Sequence, residues 1–334
     1  MKRSALSRRH GILIASGAAL AVAGFGVVMP EREPAMAPVD QAAIEEATTL
    51  SAPEGVVSRA GLGPEWDLPN VDHPRVDYWI ARFDTVPDMR KKFQGFLDRG
   101  GEYAPMILQA LAERDMPQDL LYLAMIESGF QTNATSHASA VGLWQFIRET
   151  GERYGLSVDR AVDERRDPVR ATAAALDYLQ ELHDRFGSWY LAAAAYNSGE
   201  NRVSRVMRAQ FGRERARSES DYYAVWDRLP KETRDYVPLM IAAGRITKDL
   251  ESYGFRPMTL EQRGWDEVTV SPSTQLSSIA QTYGTTVNAL KALNPQFKLD
   301  RTPNNRNYSV RVPEGAVARL AQSGNPAGTT PVAD

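Results

Sequence analysis

The sequence predicts a mainly α protein, a large helical region followed by a small βααβ module. Three observations carry this reading. Apolar residues recur at helical spacing from Asp77 to Asp249. Few segments there alternate with period 2, so any sheet is minor. A strand-helix-helix-strand pattern then runs from Glu267 to Pro313. The 334 residues, 43% hydrophobic and 24% charged, suffice for one or two buried cores.

Taken in order, residues 1–29 read as a signal peptide or signal anchor. Lys2, Arg3, Arg8, Arg9 and His10 precede the 19 uncharged residues Gly11–Met29, long enough as a helix to span a bilayer. A buried N-terminal helix fits less well, because the run has no polar face. Ala35-Met36-Ala37 has the small-x-small form of a cleavage site, although Pro38 comes directly after it. The basic residues before the apolar run direct the rest of the chain to the outer side of the membrane. Residues 30–65, with Pro30, Pro34, Pro38, Pro53 and Pro64, read as a linker with a short helix near Gln41–Leu50. Residues 66–255 form the helical region, with roughly eight helices between positions 75 and 250. Ala175, Leu179, Leu182 and Phe186 mark one buried stripe. Pro117, with Asp119 behind it, and Asp167-Pro168 mark helix starts, and Gly187 marks a stop. Residues 266–315 form the small module and 316–334 a tail.

Composition removes several classes of function. Lys plus Arg number 39 and Asp plus Glu 42, a net charge of −3, so the basic surplus of a nucleic-acid binder is missing. With no cysteine there is no disulfide, thiolate metal site, cysteine nucleophile or lipidated cysteine. The four histidines, His10, His73, His137 and His183, include no HExxH pair. Neither a metal nor a cofactor is indicated, and nothing identifies a protein partner.

The chemistry concentrates in a few segments. In Pro117–Ser128, Leu120, Leu123, Ala124 and Glu127 share one helix face, which leaves a carboxyl at the end of an apolar stripe. Desolvation raises the pKa of such a group and keeps it protonated, as a general acid requires. An exposed Glu at a fraying helix end before Gly129 is the plainer alternative. In Ser136–Phe146, small residues stand beside Trp144-Gln145. The indole offers a flat apolar face to a sugar, the amide offers donors and acceptors, and a core Trp is the alternative. Ala192–Gly199 sets Tyr196 and Asn197 at a helix end stopped by glycine.

In this order the segments resemble the lytic transglycosylases with a soluble-type (SLT) catalytic domain, which have a goose-lysozyme-like α fold. Glu127-Ser128 matches the first family motif, Gly142-Leu143-Trp144-Gln145-Phe146 the second, Ala195-Tyr196-Asn197-Ser198-Gly199 the third, and Tyr236, within Leu229–Pro238, the fourth. A membrane-bound branch also shares Val71–Arg75, Ser136-His137 and Asp163–Pro168. Ser139 stands where many members have Gly, and Arg148 where Pro is common. The lipid anchor of that branch has no cysteine here, so membrane attachment falls to residues 11–29 if the signal stays uncleaved.

The last module is similar to a degenerate LysM peptidoglycan-binding module. Ser273-Thr274-Gln275 replaces the usual Gly-Asp before its first helix, and Gln296–Asn307 is long for its final connection. A small domain packed on the enzyme without binding sugar is the alternative.

The resemblance implies cleavage of the MurNAc-β-1,4-GlcNAc bond of peptidoglycan with 1,6-anhydro-MurNAc ends, in a periplasmic or cell-envelope setting. Glu127 is implied as the catalytic acid and base. Ser128, Gln145, Tyr196, Asn197 and Tyr236 are implied as substrate-binding or supporting residues. Asp163, Glu164 and Asp167 read as structural partners of Arg165 or Arg166, and His137 as a loop hydrogen-bonder. Two rivals stand beside this reading. A hydrolytic muramidase needs a second carboxylate to hold water, and a non-catalytic wall-binding protein needs no acid.

Overall fold

The computed structural model describes residues 65–260 and 264–322. The signal or anchor, the helix near Gln41–Leu50 and the end of the tail lie outside them. No helix of the described residues is long and apolar enough to cross a membrane.

The helical region runs from α1 (Pro74–Thr85) through α2 (Pro87–Ala112), α3 (Leu121–Ser128), α4 (Arg148–Arg153), α5 (Pro168–Phe186), α6 (Trp189–Ser198), α7 (Glu200–Phe211), α8 (Ser220–Val225) and α9 (Lys231–Lys248) to α10 (Leu250–Tyr253). It is thus ten helices rather than eight, the extra ones being short. Pro117 does not open α3 directly. A 3-10 turn over Gln118–Leu120 comes first, because the Asp119 carboxylate is drawn aside to accept from the Asp67 amide (2.9 Å) and to pair with Lys248 (2.7 Å). The stripe Ala175, Leu179, Leu182 and Phe186 is buried in α5, which starts on the Asp167 side-chain cap and stops at Gly187, as expected.

α9 is the central strut, packed on α1, α3 and α6. Pro238 lies inside it and has no N–H to give the Arg234 carbonyl. That carbonyl instead accepts from Trp226 Nε1 (2.9 Å) and the Tyr222 hydroxyl (3.3 Å). The first turn of α6 is held by the Ser188 cap and by Glu219, which accepts from the amides of Trp189 (2.8 Å) and Tyr190 (3.0 Å).

The module has β1 (Trp265–Val270) antiparallel to β2 (Tyr308–Pro313), with α11 (Leu276–Thr282) and α12 (Val287–Leu293) between them. Inward Val268, Val270, Val310 and Val312 meet Leu276, Ile279 and Leu290 in a core of their own. α13 (Ala316–Gln322) comes next, and its Val317 and Leu320 pack on the same core, so the segment read as tail begins with a helix of the module.

The module is fastened to the segment between α4 and α5. Val162 bridges Phe297, the Asp163 amide donates to the Gln296 carbonyl (2.8 Å), and the Lys298 amide donates to that of Ala161 (2.8 Å). The length of the Gln296–Asn307 connection thus has a use, since it docks on the helical region. Of the three acids in that segment, Asp163 pairs with Arg165 as expected. Glu164 instead accepts from the Tyr308 hydroxyl (2.8 Å), and buried Asp167 meets Arg311 of β2 (2.6 Å).

Candidate active site

Glu127 occupies the last turn of α3 and has no exposed surface. Gly129, at φ +60°, ends the helix behind it. The Tyr236 hydroxyl of α9 donates to Glu127 Oε1, while Oε2 has no partner among the described residues. Burial pushes the carboxyl up to about 8, the Tyr236 hydrogen bond opposes this, and Glu232 adds to it. The expectation of a partly desolvated carboxyl was too mild.

The second motif is a tight loop. Val141 bridges both Thr135 and Phe146. Gly142 sits at φ +88°, and a Cβ there would lie 1.8 Å from the Arg165 carbonyl oxygen, so this position admits glycine alone. Ser139, where glycine is common, has φ +61°. Arg165, held by Asp163, donates to the carbonyls of Ser139 (3.1 Å) and Phe146 (3.0 Å) and ties the loop down. Gln145, at φ +47°, donates from Nε2 to the Gly142 carbonyl (2.8 Å), which leaves its buried Oε1 unpartnered.

Trp144 corrects an expectation. Its ring is fully buried and its Nε1 donates to Thr172 Oγ1 (2.9 Å), so it gives no face to a sugar. It serves the site through its carbonyl, which accepts from the Tyr196 hydroxyl (2.7 Å). Ser128 does not reach Glu127 either. Its hydroxyl donates to the Leu143 carbonyl (2.9 Å) and accepts from the Gln131 amide (3.1 Å), fixing the end of α3 to the loop. The Tyr196 ring lies between Tyr178 and Phe146. Asn197 Oδ1 accepts from Thr233 Oγ1 of α9 (2.8 Å), and its buried Nδ2 has no partner. His137 is exposed on the loop.

The loop, α6 and α9 each carry a further buried polar atom without a partner among the described residues, Gln145 Oε1, Asn197 Nδ2 and Glu232 Oε1. Buried polar groups are ordinarily hydrogen-bonded, so these atoms are candidates to meet the polar groups of a ligand. The motifs did not single out Thr233 or Glu232. The i, i+4 spacing from Glu232 to Tyr236 was the available signal. A cavity of about 550 Å³ elsewhere, between α2, the start of α5 and the module, is lined by Tyr103, Met106 and Trp265 and does not include Glu127.

Residues 105–218 match the family described as the transglycosylase SLT domain, so the helical region carries the domain that its motifs resemble. Residues 265–327 match the LysM-like domain of lytic transglycosylase MltD. The chain is 37% identical over 272 residues to membrane-bound lytic murein transglycosylase D of Escherichia coli K12, covering 78% of this chain and 59% of that protein. It thus spans about three fifths of that relative's length. It is also 37% identical over 110 residues to an Alteromonas sp. M-1 protein named for tributyltin chloride resistance (33% of this chain, 53% of that one). The solved 70 kDa soluble lytic transglycosylase of E. coli is 22% identical with a TM-score of 0.36, covering 48% of this chain and 26% of that chain.

Proposed function

We propose that the chain is a peptidoglycan lytic transglycosylase that cleaves the MurNAc-β-1,4-GlcNAc bond and leaves 1,6-anhydro-MurNAc ends in cell-wall turnover. The observation that carries this is the state of Glu127, a wholly buried carboxyl with one oxygen held by Tyr236 and the other unpartnered. Because Oε1 accepts from Tyr236, the proton belongs on Oε2. From there it passes to the glycosidic oxygen as the C1–O bond breaks and positive charge develops on the muramic ring. The resulting carboxylate takes the proton of the C6 hydroxyl of the same sugar, whose oxygen attacks C1 and closes the anhydro ring. The nucleophile is part of the substrate, so its effective concentration is high.

Gln145 Oε1 and Asn197 Nδ2 accept from and donate to the acetamido or hydroxyl groups of the glycan. Tyr196 supports the site by holding the Trp144 carbonyl of the loop, and Ser128 positions the helix end that bears Glu127. The catalytic domain spans residues 66–255 and the LysM-like module starts at 266, adding contacts to glycan strands. Residues 1–29 export the chain to the periplasm or cell envelope and anchor it in the cytoplasmic membrane where they are retained.

A hydrolytic muramidase is the second reading, favoured by one observation: Glu232 gives the site a second carboxyl that acts on Glu127.

The test is Glu127→Gln, which keeps the shape and removes the titrating proton. Turnover of purified sacculi should fall by about 10²–10⁴-fold or more, with glycan binding retained. Near-normal turnover by the folded variant would mean that the acid is another residue.

A further inference from the structure

Glu232 has no part in the proton transfers of the lytic reaction. It lies in the first turn of α9, one turn before Tyr236, and so on the face that carries the hydroxyl bound to Glu127. The side chain is half-buried, and its Oε1 is buried without a partner among the described residues. The two carboxyls sit at opposite kinds of helix end. Glu127 is at the C-terminal end of α3, the negative pole of that helix, whereas Glu232 is at the N-terminal end of the 18-residue α9, the positive pole. Pro230, the N-cap of α9, makes no side-chain hydrogen bond to the first-turn amides. Two neighbouring carboxyls do not both ionise readily, and these helix ends favour the proton on Glu127.

We propose that Glu232 is the second carboxylate of the site and a positioning residue whose charge, when it is ionised, adds to burial in keeping Glu127 protonated. It neither gives nor takes a proton. The proton leaves Glu127 for the glycosidic oxygen and returns from the C6 hydroxyl. Burial raises both carboxyls, half-buried Glu232 to about 7 and wholly buried Glu127 to about 8. The other titratable groups facing Glu127 are Tyr236 of α9 and Tyr196 of α6, both pushed well above their usual range by burial and so neutral. Nearby charges on α9 are engaged elsewhere, Asp235 with Arg75 of α1 and Arg234 over the Trp226 ring.

The inference rests on the lytic reading and is tested apart from it. The pH dependence of kcat/KM on soluble glycan fragments is measured for the full chain and for Glu232→Gln and Glu232→Asp. Loss of the charge should move the alkaline limb, where Glu127 loses its proton, to lower pH by on the order of one unit. Asp, which keeps the charge, should hold the limb near its original place. Should the Gln variant fail to fold, Glu232→Ala is read in the same way. A folded neutral variant whose rate falls at every pH with the limb unmoved would make Glu232 structural and overturn the inference. Product ends are analysed in parallel. Anhydro ends with an unmoved limb defeat the Glu232 inference alone, whereas ordinary reducing ends defeat the lytic reading.

Discussion

A carboxyl without exposed surface stays neutral unless a neighbour favours its charge, and for Glu127 that neighbour is Tyr236. Tyr236→Phe removes the donor and leaves Oε1 buried and unpaired. The pKa of Glu127 should then rise, and the alkaline limb of kcat/KM should move to higher pH, opposite to the shift expected for Glu232→Gln. The turnover number should fall, because the carboxylate formed in mid-reaction loses its donor. The unpaired oxygen should also cost about 1–3 kcal/mol in denaturant unfolding. A limb that stays in place would separate Tyr236 from the acid. At this scale the sequence was informative where helical period applies. Leu120, Leu123 and Ala124 already define the apolar face on which Glu127 lies. It was uninformative in the loop, where no period fixes direction, so Trp144 read equally well as a sugar platform or as core. Glu232 shares the Tyr236 face by spacing alone, but nothing in the chain states that α9 turns that face toward α3.

The site depends on where elements stop. α3 ends at Gly129, α6 at Gly199, and the loop turns at Gly142. Each stop delivers a side chain, respectively Glu127, Tyr196-Asn197 and Gln145. Gly142→Ala forces a Cβ against the Arg165 carbonyl and strains a φ of +88°. The variant should lose about 2 kcal/mol or more in denaturant melts, and activity should fall because Gln145 and the Trp144 carbonyl shift together. Full activity with an unchanged melt would show that the loop tolerates the movement. Stops of this kind were legible, since glycine and proline mark them, and the α5 boundaries fall at the residues that predict them. The late start of α3 was not, because it turns on Asp119 meeting Asp67 and Lys248, which are distant in sequence.

Across the whole molecule, one segment serves both modules. Arg165 and Asp163 brace the loop that carries Gln145, while Glu164 and Asp167 bind Tyr308 and Arg311 of β2. The long connection of the LysM-like module belongs to this docking, which a sequence pattern cannot express, whereas Ser273-Thr274-Gln275 bond to Arg301–Pro303 within the module. Arg311→Ala would take from buried Asp167 the nearer of its two guanidinium partners, leaving Arg170 at 3.7 Å and the amides of Val169 and Arg170, a loss of about 1–3 kcal/mol. Its melting temperature should fall, and the helical region should loosen along with the module. An unchanged melt would show that the modules are energetically independent. The central claim concerns the reaction itself, and the chemistry of the cut ends tests it most directly. Mass spectrometry of fragments released from purified sacculi should find muramic ends that are one water lighter than hydrolytic ends and inert to borohydride. Ends that borohydride reduces would contradict the intramolecular attack by the C6 hydroxyl and establish water as the nucleophile.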